Sequence, residues 1–240
     1  MSERVKTGVD GLDVILGGGI TAGSTVLVSG NPGTGKSILG LQYLYAGAVE
    51  HGDRGIYLSF EESAADLRAS AESIGFDEWR SLVKAGEVVV YDKRQLLEDG
   101  EFSSTLDTLV SELSSGSYGR LVMDSLTMFE LFFEDERENR QYLLKFTDVL
   151  KEFGVTSLLV AEQSAVFPDT DVGLENFLTD GNVYLIQTPT GSGVNRYVWV
   201  SKMRKQDVDT DIFPMEIGRG GITVHENAAG FSMMDDPGPF

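Results

Sequence analysis

The stretch Ser24–Ala46 constrains the fold of this chain more than any other. An apolar run, Ser24-Thr-Val-Leu-Val-Ser29, leads through Gly30-Asn-Pro-Gly-Thr-Gly35-Lys36-Ser37 into a second apolar run, Ile38–Ala46. The first run reads as a buried strand and the second as the helix that follows it. Between them stands the phosphate-binding pattern G-x-x-x-x-G-K-[ST], in the strand–loop–helix setting that the pattern requires. Glycines let the backbone curl so that its N–H groups face phosphates, and the helix N-terminus adds the positive end of a dipole. Gly30, Asn31, Pro32, Gly33, Thr34, Gly35, Lys36, Ser37 and Ile38 are therefore the candidate nucleotide-binding residues. Among them, Lys36 is placed to reach the β- and γ-phosphates and Ser37 to hold Mg²⁺. The bland alternative is a glycine-rich turn before an ordinary helix, and the joint match of pattern and setting disfavours it.

Further strands are expected at Arg54–Phe60, Glu87–Asp92, Arg120–Asp124, Thr156–Glu162, Asn182–Gln187, Tyr197–Lys202, Asp211–Ile217 and Ile222–His225. Helical patterns lie at about Ser37–Glu50, Ser63–Ile74, Ser103–Leu113 and Glu136–Phe153. The early strands are almost continuously apolar, as in Leu121-Val-Met and Ser157-Leu-Leu-Val-Ala161, which is the pattern of a parallel sheet covered on both faces. After residue 180 strands follow one another without helices, so an antiparallel extension is expected. The expected class is α/β, a mostly parallel central sheet flanked by helices. Residues 1–227 are read as one domain, and 228–240, with two prolines and an Asp pair, as a loose acidic tail.

Composition narrows the function. No apolar run approaches the roughly 18–20 residues of a membrane span, and Met1-Ser-Glu-Arg-Val-Lys6 lacks a signal-peptide core, so the expected setting is the cytoplasm. Zero cysteines exclude disulfides and thiolate metal sites, and two isolated histidines argue against a dedicated metal centre. Nineteen basic residues against 38 acidic ones give a net charge of −19. The acids are dispersed and lysines number eight, a surface suited to a salt-rich cytosol. There, screening over about 3 Å at 1 M makes self-repulsion tolerable. The same charge opposes broad electrostatic capture of nucleic acid.

Other chemistry gathers at strand ends. Strand 54–60 runs into Glu61-Glu62, and in open α/β sheets ligands collect at that edge. One of the two carboxylates is the candidate base that orients and deprotonates an attacking water, the other its support; sequence alone does not rank them. Arg120-Leu-Val-Met-Asp124-Ser125 is an apolar strand ending in the acid expected on the Mg²⁺ side. Val160-Ala-Glu162-Gln163 offers a polar pair where a γ-phosphate sensor fits, or an ordinary strand-to-loop transition. Trp199-Val-Ser-Lys202-Met203-Arg204-Lys205 gathers three cations in a chain with few, either an exposed strand end or a finger reaching a neighbour's nucleotide. Met128-Phe-Glu-Leu-Phe-Phe133 is either a contact surface or core packing.

With these residues in view, the chain resembles the KaiC-like branch of the RecA/RadA superfamily of ATPases over about residues 5–226. The resemblance rests on Thr7-Gly-Val-Asp-Gly-Leu-Asp13, Leu16-Gly-Gly-Gly19, the loop at 30–37, Phe60-Glu61-Glu62, Val122-Met-Asp124-Ser125 and Gly173-Leu-Glu-Asn-Phe-Leu-Thr-Asp180. It continues through Lys202-Met-Arg204, Phe213-Pro-Met-Glu-Ile217 and Gly221-Ile-Thr-Val224. It implies a RecA-type core, ATP and Mg²⁺ at subunit interfaces, and a hexameric ring. It also implies Glu61 and Glu62 as paired catalytic glutamates, with Lys202 and Arg204 as contacts to the neighbour's nucleotide. Where the family usually has glycine after Lys-Met-Arg, this chain has Lys205. The clock protein of the family has two such domains in tandem and this chain one, so clock function does not carry over.

The leading expectation is a slow ATP-hydrolysing oligomer whose nucleotide state controls contact with a partner protein. The competing one is a recombinase-like protein that uses ATP to bind single-stranded DNA. Against it, the stretches 127–140 and 164–177, where basic loops would be wanted, carry Glu-Leu-Phe-Phe-Glu-Asp-Glu and Val-Phe-Pro-Asp-Thr-Asp-Val. A third reading is a nucleotide-binding scaffold without turnover.

Overall fold

The structure is a computed structural model and describes residues 3–96, 102–131, 133, 135–165, 169–170, 173, 175–191 and 193–228. Most of the expected tail, from residue 229 on, and residues 166–168 and 171–172 of the acidic stretch lie outside these residues. The chain opens with a small antiparallel pair, β1 (Arg4–Val5) and β2 (Ile20–Thr21), around the short helix α1 (Asp10–Ile15). Every predicted strand then forms: β3 (Thr25–Gly30), β4 (Gly55–Ser59), β5 (Val88–Tyr91), β6 (Arg120–Asp124), β7 (Thr156–Glu162), β8 (Gly181–Pro189), β9 (Val194–Met203), β10 (Ile212–Gly218) and β11 (Gly221–Val224). They make one sheet in the order β11-β10-β9-β8-β3-β7-β6-β4-β5.

The run from β8 to β5 is parallel, and β9, β10 and β11 extend it antiparallel. The antiparallel extension therefore starts one strand later than the helix-free sequence suggests, because β8 pairs parallel with β3. Alternation along each strand splits the core into two layers. Val26, Tyr57, Val122 and Val160 pack under α2 (Lys36–Ala46), α3 (Ala64–Ser73) and α4 (Trp79–Ala85). Leu27, Leu58, Met123 and Leu159 face the other side. After the short α5 (Lys93–Leu96), that side is covered by α6 (Phe102–Ser115), α7 (Leu126–Glu130) and α8 (Glu136–Glu152). The last helix is α9 (Glu175–Leu178).

The helix expected to reach Glu50 is α-helical only to Ala46 and turns π over Gly47–His51. There Gly47 makes room for Arg120, whose guanidinium is buried, ion-paired with Asp53 at 2.8 Å, and donates to the carbonyls of Lys6 and Tyr43. The described residues of the segment 128–133, from which Phe132 is excluded, divide between the two readings offered above. Phe129 enters the core against Phe60 and Phe133, while Leu131 is 74% exposed. Among the described residues no helix is long and apolar enough to cross a membrane.

Candidate active site

Strand β3 ends at Gly30, and the loop wraps back before α2 begins at Lys36. The wrap is held by Thr34, whose hydroxyl donates to the Asn31 carbonyl at 2.9 Å. Gly35 needs to be glycine twice over: its φ is +102°, and a Cβ there would lie 2.6 Å from Ile217 Cδ1. Lys36 Nζ folds onto the loop and donates to the carbonyls of Gly30 (2.9 Å) and Asn31 (3.1 Å). Burial pushes its ammonium pKa down, against the pull of Glu162, Asp124 and Glu61. Asn31 fastens the loop sideways, its Nδ2 donating to the carbonyls of Gln163 (2.9 Å) and Ala165 (3.1 Å).

Because β3, β4, β6 and β7 run parallel, their C-terminal ends deliver Gly30, Ser59, Asp124 and Glu162 to one edge. An open cleft of about 470 Å³ lies there, with Pro32, Gly33 and Gly35–Ile38 on one wall and Glu61, Asp124, Ser125 and Glu162 on the other. Asp124 is 8% exposed, and its Oδ2 accepts from the Tyr57 hydroxyl at 2.7 Å. Burial raises its carboxyl pKa, while hydrogen bonds from Ser37 and Tyr57 hold the ionised form. The Asp124–Ser125 peptide is cis. Ser125 Oγ donates to Glu61 Oε1 at 2.5 Å and so orients that carboxylate at the mouth of the cleft. Glu62 is half-buried and does not line the cleft; its backbone N–H donates to Ser59 Oγ at 3.1 Å, and burial followed by Asp124, Asp66 and Glu61 raises its carboxyl pKa. Of the polar pair at the end of β7, Glu162 faces the cleft, and Gln163 is buried with Nε2 unpartnered among the described residues.

The donor set suits Mg²⁺, a hard ion that binds through one or two protein oxygens together with substrate phosphates and water. Ser37 and Asp124 supply a hydroxyl and a carboxylate. Among the described residues no group of three or more His, Cys, Asp or Glu forms an all-protein cage.

Lys202 and Arg204 do not join this cleft. Met203 pairs with Gly181, which pairs with Val26 at the start of β3, so the two cations stand at the opposite edge of the sheet. Lys202 Nζ donates to the carbonyls of Asn176 (2.8 Å) and Thr179 (3.0 Å), and burial lowers its pKa. Arg204 Nη2 donates to the Phe177 carbonyl at 3.1 Å, and Nη1 lies 3.9 Å from Asp180. Lys205 has φ +61°, the left-handed region where glycine is usual.

Sequence reasoning missed Arg196, which lines the cleft with a buried Nε that has no hydrogen-bond partner among the described residues. Its strand was expected to begin at Tyr197 but begins at Val194. It also missed Tyr57 and Ser125, which reach the carboxylates only through side-chain bonds across strands.

A phosphate loop between a central parallel strand and its helix, with acids at neighbouring strand ends, defines a nucleotide-binding protein of the phosphate-loop class. A family model described as "ATPase: KaiC" matches residues 5–229. The circadian clock oscillator protein KaiC of Parathermosynechococcus lividus is 30% identical over 228 residues, 92% of this chain and 42% of that protein. Its namesake from Prochlorococcus marinus strain SARG is 28% identical, over 92% of this chain and 46% of that protein. The chain thus spans less than half the length of these curated relatives. The crystal structure of a KaiC-like protein from Pyrococcus horikoshii OT3 superposes with a TM-score of 0.83 at 34% identity, covering 94% of this chain and 100% of that one. The chain belongs to the KaiC family of ATPases and has its RecA-type fold.

Proposed function

We propose that this chain hydrolyses ATP with Mg²⁺, slowly and as a homo-oligomer, and that its nucleotide state governs contact with a partner protein. One observation carries the reading. Lys36, Ser37, Glu61 and Asp124 converge on one cleft, while Lys202 and Arg204 stand at the opposite edge of the same sheet. Stacking copies edge to edge, head to tail, would complete each cleft with the next copy's cations, and closure of that heterologous contact makes a ring. We take the ring as hexameric, in line with the family resemblance, and residues 1–227 as its one catalytic unit, acting in the cytoplasm.

In the reaction, the N–H groups of the loop hold the phosphates and Lys36 moves from its two carbonyls to the β- and γ-oxygens. Ser37 and Asp124 would hold Mg²⁺, which when bound neutralises charge on those oxygens. Glu61, fixed by Ser125, orients a water and takes its proton as the water oxygen bonds to the γ-phosphorus and the bond to the bridging oxygen breaks. Glu62 keeps the local field negative behind it. Arg204 and Lys202 of the next copy meet charge developing on the transferred group, a contribution worth about 10³–10⁵ in rate when supplied by a finger.

Light scattering in molar KCl, with and without Mg-ATP, tests the assembly; a monomer under every nucleotide condition refutes it. ATPase assays on wild type, Lys36→Ala, Glu61→Gln and Arg204→Ala test the site, and a scaffold would show no turnover to lose. The DNA-binding alternative is disfavoured by the acids in the segments that follow β6 and β7, Glu130, Asp135 and Asp169 among them. The dispersed negative charge supports salt adaptation, for which the check is a melting curve against KCl.

A further inference from the structure

Tyr57 sits in the middle of β4 with its ring wholly buried. A phenylalanine would fill that volume without bringing a hydroxyl that needs a partner in the core. The partner is Asp124, whose Oδ2 accepts from the Tyr57 hydroxyl at 2.7 Å. Register explains the reach: Tyr57 lies opposite Val122, one same-face step behind Asp124 on the adjacent strand β6. The hydroxyl therefore approaches the carboxylate from inside the sheet, on the side away from the cleft.

A second observation comes from the helix above. Gly40 stands mid-way along α2, where glycine costs about 1 kcal/mol relative to alanine. A Cβ there would lie 2.8 Å from Val122 Cγ1, 3.5 Å from Tyr57 Cε2 and 3.6 Å from the Tyr57 hydroxyl. Gly40 thus lets α2 settle directly on Tyr57 and Val122. The same helix carries Ser37 in its first turn, where its hydroxyl stands near enough to Asp124 and Tyr57 to favour the ionised form of each, and Ser37 and Asp124 line the cleft together. One helix and two strands meet at these three residues, and both residues offered for Mg²⁺ are among them.

We propose that Tyr57 is a positioning residue for the metal-side carboxylate: its hydroxyl fixes the Asp124 rotamer and its ring sets the height of Ser37, so that the two oxygens stand ready for Mg²⁺ bound with a nucleoside triphosphate. This rests on the Mg-ATP reading above. A hydroxyl that was merely satisfied would affect stability alone. A positioning hydroxyl affects the metal-dependent part of nucleotide affinity and leaves the metal-free part unchanged.

The test measures binding of methylanthraniloyl-ATP by fluorescence to wild type and Tyr57→Phe, in EDTA and across a Mg²⁺ titration, with apo melting curves as the fold control. For Tyr57→Phe, affinity in EDTA should stay within about twofold, while the Mg²⁺ concentration for half-maximal tightening rises about five- to tenfold, the loss of one charge-assisted hydrogen bond. Gly40→Ala would bring its Cβ to 2.8 Å from Val122 Cγ1, lifting α2 and Ser37 away from Tyr57 and Asp124, and should shift the Mg²⁺ midpoint the same way, so the question stays open to test if Tyr57→Phe folds poorly. An unchanged midpoint in Tyr57→Phe, or equal losses with and without Mg²⁺, overturns the proposal while the parent reading stands. Wild type with no Mg²⁺ response overturns both.

Discussion

If the site is shared between copies, two dead variants should revive each other. Lys36→Ala removes the loop cation and Arg204→Ala the opposite-edge cation, and each alone should lose nearly all turnover. Within one copy the two cannot cooperate. Gly30 lies level with Leu185 and Val26 level with Gly181, so four residues, about 13 Å, separate the two ends along the strands. β9 is also two strands from β3, about 10 Å across the sheet, which puts the cations about 16 Å from the loop, beyond an arginine's reach. In a one-to-one mixture assembled with Mg-ATP, a site is competent when its loop comes from the Arg204→Ala copy and its finger from the Lys36→Ala copy. Random assembly makes that combination in about one quarter of head-to-tail interfaces, so activity should climb from near zero to about a quarter of wild type. Phosphate release from pre-mixed, re-assembled protein measures it. No recovery, in a mixture shown by light scattering to co-assemble, would refute the shared site, as would full turnover in Arg204→Ala alone.

Three further outcomes follow from the same geometry. Glu61→Gln should cut turnover about 10²–10⁴-fold while ATP affinity stays within about twofold, with a smaller loss in Glu62→Gln; the reverse ranking would move the base to Glu62. Lys205→Gly should stabilise the apo protein by about 0.5–1 kcal/mol in denaturant melts, relief of the left-handed backbone less the added freedom of the unfolded chain, and a loss of stability would refute that account. Burial raises Asp124 above its ordinary value of 3.8, so its contribution to stability is fully present below that value and is lost as pH rises through the folded one. Apo Asp124→Asn should therefore melt higher than wild type at about pH 7.5, the gap closing as pH falls toward the ordinary carboxylate value of 3.8, and a gap independent of pH would show that the carboxylate carries no such penalty.

The strands were legible because each is a dense apolar run, and their alternation between the two core layers matches a period of two. The short helices were not. α1, α4, α7 and α9 have four to seven residues each, too few to show a helical period, and they are held by tertiary packing rather than propensity. The phosphate loop, Glu61 and Asp124 were readable because each sits at the end of a recognisable strand. Arg196, Tyr57 and Ser125 were not, since their roles arise from register between strands far apart in sequence. The position usually given to glycine after Lys-Met-Arg also became intelligible only in three dimensions. Lys205 must turn left-handed because Gln206 beyond it is locked into the N-terminal segment, accepting from Thr21 N at 2.9 Å and donating to the Leu16 carbonyl at 2.9 Å.

The two opposite-edge cations are not equivalent, and their difference bears on how a shared site would switch. Arg204 is 49% exposed on its side chain, and its ion pair with Asp180, at 3.9 Å, is worth at most about 1 kcal/mol in that setting. In the proposed assembly a neighbour's triphosphate would draw it away cheaply. Lys202 is less accessible and bonds two carbonyls of α9 and the residue after it, those of Asn176, which Asn182 Nδ2 reaches only at 3.5 Å, and Thr179. Moving it would open that helix end, whereas moving Arg204 would release one exposed hydrogen bond to Phe177. Arg204 is therefore the group suited to follow nucleotide occupancy turnover by turnover. Lys202 is suited to report it, because its departure would loosen the 175–180 segment next to the 64% exposed ring of Phe177. On this reasoning, in a shared site a nucleotide-driven change at the outer surface would begin at α9 rather than at the phosphate loop.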